Sequence, residues 1–174
     1  MVRNTPVVDT SYGPVRGVDR GRINVFKGVR YAAPPIGDLR FRAPMPPEPW
    51  TEVADASEFG FACPQPPLPG IPLDLGARQD EDCLTLNIWA PSGAEAKPVM
   101  VWLHGGAYVL GSGSQPFYDG NRLADSGDVV IVTVNYRLGA FGFLDLSVFN
   151  RPASTFDSNI GLRDVLAALQ WVQD

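Results

Sequence analysis

Apolar residues run almost without interruption through 99–103 and 129–135, which predicts two strands of a sheet covered on both faces. Residues 84–90 supply a third. Upstream, 7–18 reads as a short hairpin turning at Tyr12-Gly13-Pro14, and 23–29 as a further strand. The period lengthens near the end of the chain. Leu162, Val165, Leu166, Leu169 and Val172 recur at helical spacing and predict one apolar helix face over 159–174, and a short helical link is expected over 119–126. Between 34 and 72 periodicity disappears. That stretch holds eleven of the seventeen prolines, which excludes long helices and central strands. Its Phe41, Trp50, Phe59 and Phe61 are apolar anchors, so it is expected to wrap the sheet as an ordered cover near a site entrance.

Composition narrows the class. With 174 residues, 45% of them apolar and 19% charged, the chain is long enough for one globular unit and is not a disordered one. A net charge of -5 leaves no basic surplus to neutralise phosphates, so nucleic acid is not expected as a partner. No apolar run approaches membrane-spanning length, and no glycine-rich motif has the order of a nucleotide loop. Two distant cysteines, Cys63 and Cys83, and a single histidine do not make a metal-ligand set; no cofactor is expected. The first fourteen residues lack the apolar core of a secretory signal, and Asn4-Thr5-Pro6 is not a glycosylation acceptor. Both lean toward a cytoplasmic location.

Chemistry enters where the strand at 99–103 runs directly into His104-Gly105-Gly106-Ala107-Tyr108. Glycines let a backbone approach a bound carbonyl, and successive N–H groups then aim at the oxygen on which charge develops during acyl transfer. Gly106 and Ala107 are the expected donors and Gly105 permits the close turn. The plain alternative is a tight connection and nothing more. Acyl transfer also needs a nucleophile and a base, and no Gly-x-Ser-x-Gly occurs; Gly111-Ser112-Gly113-Ser114 lacks the closing glycine and sits in a loop. His104, inside the turn, is expected to position the loop and not to shuttle protons. Glu81 and Asp82 are adjacent on an extended segment, so their side chains point to opposite faces and cannot share a proton.

Several further segments extend the pattern: Gly28-Val29-Arg30-Tyr31-Ala32-Ala33-Pro34-Pro35-Ile36-Gly37 with Leu39-Arg40-Phe41, Glu81-Asp82-Cys83-Leu84-Thr85-Leu86-Asn87-Ile88-Trp89, and Asn135-Tyr136-Arg137-Leu138-Gly139-Ala140-Phe141-Gly142-Phe143. In this order and spacing, with the His-Gly-Gly turn, they closely resemble the type B carboxylesterase family over nearly the whole chain. The resemblance implies an α/β-hydrolase fold with a mostly parallel central sheet: a lead-in hairpin and strand over 1–33, a Pro-rich cover over 34–83, and core strands and helices with the oxyanion loop over 84–174. It implies ester hydrolysis through a serine nucleophile.

The same resemblance implies a structural ion pair between Arg40 and Glu81, which composition alone would leave as solvated groups, and a Cys63–Cys83 disulfide. Such a bridge would contribute about 3 kcal/mol in the chain-entropy model and would lean toward secretion; the cysteines by themselves read as free thiols. Tyr108, Phe117 and Tyr118 are the aromatic residues expected to edge the substrate pocket. Cholinesterase-like relatives carry a tryptophan between the two cysteines, whereas this chain has Pro66, Pro67, Leu68, Pro69, Ile71, Leu73 and Leu75 there, which favours small uncharged esters. Family members are about three times this length, and their nucleophile follows a helix ending in Trp-Val, here Trp171-Val172. The expectation is an N-terminal portion that supplies the oxyanion hole, with serine, acid and histidine on a second polypeptide or on sequence not in hand. The alternatives are a non-catalytic cholinesterase-like binding module and an inactive truncated fragment.

Overall fold

The computed structural model describes residues 6–67, 70, 72–152 and 155–174. Near its start, β1 (Val7–Asp9) pairs antiparallel with β2 (Pro14–Arg16), and β2 runs parallel to β5 (Ala54–Asp55), a two-residue strand contributed by the Pro-rich segment. The main sheet contains β3 (Val18–Asp19), β4 (Ile23–Arg30), β6 (Thr85–Pro91), β7 (Val99–Leu103) and β8 (Val130–Val134), in the spatial order β3-β4-β6-β8-β7. β3–β4, β4–β6 and β6–β8 are antiparallel and only β7–β8 is parallel, so within these residues the sheet is mixed, a correction to the mostly parallel sheet expected. The parallel pair arises where the connection contains a helix, α1 (Asn121–Gly127), long enough to carry the chain back to the same end of the sheet.

Alternation along β6 and β8 builds two faces. Leu86, Val132 and Val134 join the larger core on one side with Tyr136, Leu138 and Ala168, while Trp89 and Ile131 join Val25 and Ala124 on the other. Sequence runs that looked uniformly apolar are thus divided between two cores. Between them on the α1 side lies a buried polar pair, Asn87 Nδ2 donating to Thr133 Oγ1 at 3.0 Å. β4 is bulged between Phe26 and Val29. Gly28 makes this possible: its φ is +63°, and a Cβ there would lie 2.8 Å from the Gly60 nitrogen of the Pro-rich cover. The glycine therefore lets the cover seat on the sheet.

That cover contains no long element, as its prolines require: one 3-10 turn (Gly37–Leu39) and β5 are its regular pieces over 34–72 among the described residues. Ion pairs fasten it. Arg40 Nε donates to Glu81 Oε2 at 2.6 Å, and Arg42 Nε to Asp157 Oδ2 at 3.1 Å. Asp82 turns the other way and binds Arg30 through both oxygens, a partner the sequence reading did not name.

After β8 come α2 (Gly139–Phe143), a 3-10 turn (Ser147–Phe149) and α3 (Ile160–Gln173). α3 buries only part of the stripe predicted: Val165 and Val172 pack, half-buried, against the larger core, but the three leucines do not. Ile160, Gly161, Asp164 and Ala168 face inward, while Leu162, Leu166 and Leu169 are 48%, 65% and 41% exposed. Two features rotate the helix. Asp164 lies buried under a forked ion pair, with Arg137 Nε at 2.8 Å from Oδ2 and Nη2 at 2.6 Å from Oδ1. Gly161 packs where a Cβ would come within 2.6 Å of the Phe143 ring. The outward leucines lie on the same molecule as β7, the sheet's edge strand, whose Met100, Trp102 and Leu103 are also exposed.

Candidate active site

The His-Gly-Gly turn emerges from the end of β7, and three of its carbonyls, those of Gly105, Gly106 and Tyr108, are tied back into the protein. His104 Nδ1 lies 2.9 Å from the Gly105 oxygen; a carbonyl only accepts, so Nδ1 carries the proton. The N–H groups of Val109 and Leu110 donate to the Gly106 oxygen at 3.0 and 3.2 Å, and Gly139 N–H donates to the Tyr108 oxygen at 2.7 Å. Because a trans peptide holds N–H opposite C=O, drawing the Gly105 oxygen inward turns the Gly106 N–H outward. Neither Gly106 nor Ala107 donates to a backbone carbonyl among the described residues.

Backbone geometry marks the same place. Gly106 has φ +125°, and the next two residues, Ala107 and Tyr108, adopt φ +53° and +64° although neither is glycine. Such left-handed residues cost on the order of 1 kcal/mol or more each and persist only where surrounding contacts enforce them. The three pinned carbonyls do so here. A Cβ on Gly106 would lie 1.9 Å from the Leu110 oxygen, so no other residue fits without moving the turn.

His104 is buried, and burial pushes its pKa below the ordinary 6.5, which keeps the ring neutral near pH 7. It stacks on Tyr136 with ring centroids 4.7 Å apart, and the Tyr136 hydroxyl donates to the His104 oxygen at 2.9 Å. The imidazole is thus a wedge between Tyr136 and the turn. Gly105, Gly106, Ala107, Tyr108, Tyr136 and Val165 line an open, mostly apolar cavity of about 440 Å³ beside the start of α3.

Of the three aromatic residues expected at the pocket, Tyr108 lines this cavity and packs its ring 4.8 Å from that of Phe143. Phe117 and Tyr118 lie instead on a 3-10 turn (Pro116–Tyr118), where Tyr118 meets Trp102 of β7 at 5.3 Å. They flank the exposed strand edge. Cys63 and Cys83 are both buried and both free, so the bridge that the resemblance implies is not formed in this structure. Their thiols are neighbours: a hydrogen bond with Cys63, reinforced by burial, pushes the Cys83 thiol well above its usual range, and Leu138 N–H donates to Cys63 Sγ at 3.1 Å. Leu68, Pro69 and Ile71 of the intervening loop lie outside the described residues.

Behind the turn lies a polar network that sequence reasoning did not assign. Asn135 accepts from Gly113 N–H at 2.8 Å and donates to the Phe61 oxygen at 3.0 Å, while Thr133 Oγ1 donates to the Gly113 oxygen at 2.8 Å. Tyr31 hydroxyl donates to the Asn135 oxygen at 2.7 Å. These bonds hold 111–115 against β8. The available signal was the run of polar residues, Thr133 and Asn135, at the end of an otherwise apolar strand, since buried polar groups require partners.

A model of the carboxylesterase family matches residues 4–174, and the chain belongs to that family. The chain is 49% identical over 170 residues to para-nitrobenzyl esterase of Bacillus subtilis and 44% identical over 174 residues to phenmedipham hydrolase of Pseudarthrobacter oxydans; each alignment covers 97% of this chain and 34% of the relative. A solved para-nitrobenzyl esterase superposes with a TM-score of 0.87 over 97% of this chain and 34% of its own, at 49% identity, and a thermophilic one with 0.89 at 48%. The fold is that of part of an α/β hydrolase, and the chain spans about a third of the length of the relatives it matches.

Proposed function

We propose that this chain supplies the oxyanion-binding part of a serine carboxylesterase site, with the serine, its acid and its histidine on sequence outside these 174 residues. The observation that carries the reading is the pair of N–H groups, Gly106 and Ala107, that meet no acceptor among the described residues, on a turn whose Gly105, Gly106 and Tyr108 carbonyls are tied back, beside a mostly apolar cavity of about 440 Å³. In the assembled site the serine Oγ attacks the ester carbonyl and the histidine accepts its proton. The carbonyl oxygen becomes an oxyanion held by these N–H groups. Collapse then expels the alcohol, which takes the proton from the histidine, and water releases the acid by the same sequence.

The apolar cavity with Tyr108 at its edge supports a small uncharged ester, and the relative named for para-nitrobenzyl esters supports an aryl-bearing one. A second polypeptide is the partner we propose. The uncovered edge of β7 and the outward leucines of α3 support it, because an apolar edge strand and helix face require a cover. The test combines native mass spectrometry with hydrolysis of para-nitrophenyl esters. The expected result is a complex of this chain with a longer, serine-bearing polypeptide that loses activity when Gly106→Pro is introduced. Full activity in that variant, or labelling of no serine by a fluorophosphonate, refutes the reading.

A further inference from the structure

The Pro-rich cover and the oxyanion turn are far apart in sequence, yet one side chain joins them. Gln65 accepts from the Gly111 N–H at 2.7 Å through Oε1 and donates to the Gly111 oxygen at 2.9 Å through Nε2. The same Nε2 reaches the Cys63 oxygen at 2.9 Å, and the Gln65 backbone N–H is held by Gln79 Oε1 at 2.8 Å. The amide therefore grips both polar groups of one residue, as a neighbouring β-strand would, and is itself braced from behind.

Gly111 is the residue on which the turn rests. Its φ is +110°, and a Cβ would lie 2.4 Å from His104 Nδ1 and 2.5 Å from the Gly105 oxygen. Its backbone is thus in contact with the hydrogen bond that orients the Gly105–Gly106 peptide. Any drift of Gly111 changes the His104 to Gly105 bond, and with it the direction of the Gly106 N–H. A donor to a developing oxyanion is effective only near 3 Å and close to linear, so a shift of a few tenths of an ångström is felt in the transition state and scarcely in the bound ester.

We propose that Gln65 is a positioning residue of the esterase site: by clamping both polar groups of Gly111 it fixes, through His104, the aim of the oxyanion donors. The inference rests on the esterase reading above. It makes the segment after Cys63 part of the catalytic apparatus and not only a cover.

The experiment uses the assembled, serine-bearing esterase that contains this chain. Gln65→Met keeps the length of the side chain and removes its three hydrogen bonds, the two to Gly111 and the one to the Cys63 oxygen. Its kcat is expected to fall about tenfold or more with KM within about twofold, because the lost alignment matters mainly in the transition state. A trifluoromethyl ketone, which forms a tetrahedral adduct on the serine, is expected to lose affinity in parallel with kcat.

Gln65→Glu supplies a readout that a merely structural role would not move. A neutral carboxyl reproduces the amide pair, its O–H donating to the Gly111 oxygen and its C=O accepting from the N–H, whereas a carboxylate has no donor. Its kcat relative to the parent enzyme is therefore expected to recover as pH falls and the carboxyl protonates. The titratable groups nearest the clamp, Cys63 beside Gln65 and His104 beside Gly111, are present in parent and variant and cancel in that ratio.

An unchanged kcat in Gln65→Met, or a Gln65→Glu profile parallel to the parent's, overturns the proposal. If Gln65→Met fails to fold, the Gln65→Glu profile decides alone. An inactive parent enzyme instead overturns the esterase reading and with it the catalytic consequence of the clamp. The clamp itself is then judged by hydrogen exchange at Gly111, which is expected to quicken at least about tenfold in Gln65→Met and, if unchanged, shows that the amide pair holds nothing.

Discussion

Gly106 and His104 show how much a single position carries in this turn. A methyl group on Gly106 would overlap the Leu110 oxygen at 1.9 Å, so Gly106→Ala must displace the donor peptide. In the assembled esterase its kcat is expected to fall about 10² to 10³-fold, the range for losing one oxyanion donor, as measured with para-nitrophenyl esters. His104 gives a pH prediction. In the folded chain burial depresses its pKa below 6.5, and unfolding restores the ordinary value, so below about pH 6.5 the unfolded chain binds a proton that the folded chain refuses. Stability contributed by the neutral ring is present above that pH and is lost as pH falls toward the depressed value. Thermal unfolding between pH 7 and 5 is expected to show Tm falling, and falling less steeply in His104→Gln. An unshifted imidazole titration by NMR would contradict this.

Elements are held in register by buried polar contacts as much as by apolar ones. α3 is anchored by Asp164, which is wholly buried and whose carboxyl is raised by burial against the opposing pull of Arg137. Arg137 is 4% exposed by side chain and leaves Nη1 without a partner among the described residues, so the pair is already imperfectly satisfied. Removing one partner strands the other charge. Asp164→Leu is expected to cost about 3 to 5 kcal/mol in urea unfolding, whereas the double change of Asp164 and Arg137 to apolar residues costs less than the single one. At the end of β8, Asn135 joins the 111–115 loop, the Phe61 oxygen and Tyr31. Asn135→Leu leaves the Gly113 N–H and the Phe61 oxygen unpaired, at about 1 to 3 kcal/mol for each group that stays dry, and is expected to lower the unfolding midpoint accordingly.

At the scale of the whole molecule, the exposed apolar residues of β7 and of α3 set its behaviour in solution. Trp102 is 44% and Leu166 65% exposed, far from the pattern of a finished sheet with helices on both faces. The chain on its own is expected to self-associate, and Leu166→Glu to raise the monomer fraction in sedimentation; a parent chain that is monomeric at all concentrations contradicts the uncovered face. Much of this was legible beforehand, and for identifiable reasons. The strands at 99–103 and 129–135, the terminal helix and the irregular Pro-rich cover are local consequences of apolar period and proline content, and the glycine turn follows its apolar strand as the residue order requires. Properties that depend on which groups meet across long separations were not. Helical period placed five apolar residues of α3 on one face, yet the face it buries is decided by Asp164 finding Arg137 and by Gly161 meeting Phe143. Nothing local distinguishes Ala107 and Tyr108 as left-handed, since their φ values are imposed by carbonyls pinned from 109, 110 and 139. By itself the sequence determined the long strands and the terminal helix, though not β5 or α2, and the location of the His-Gly-Gly turn. Only the tertiary structure decided the aim of its N–H groups, the inward face of α3 and the reach of Gln65 to Gly111, because each is set by contacts between residues that sequence order keeps apart.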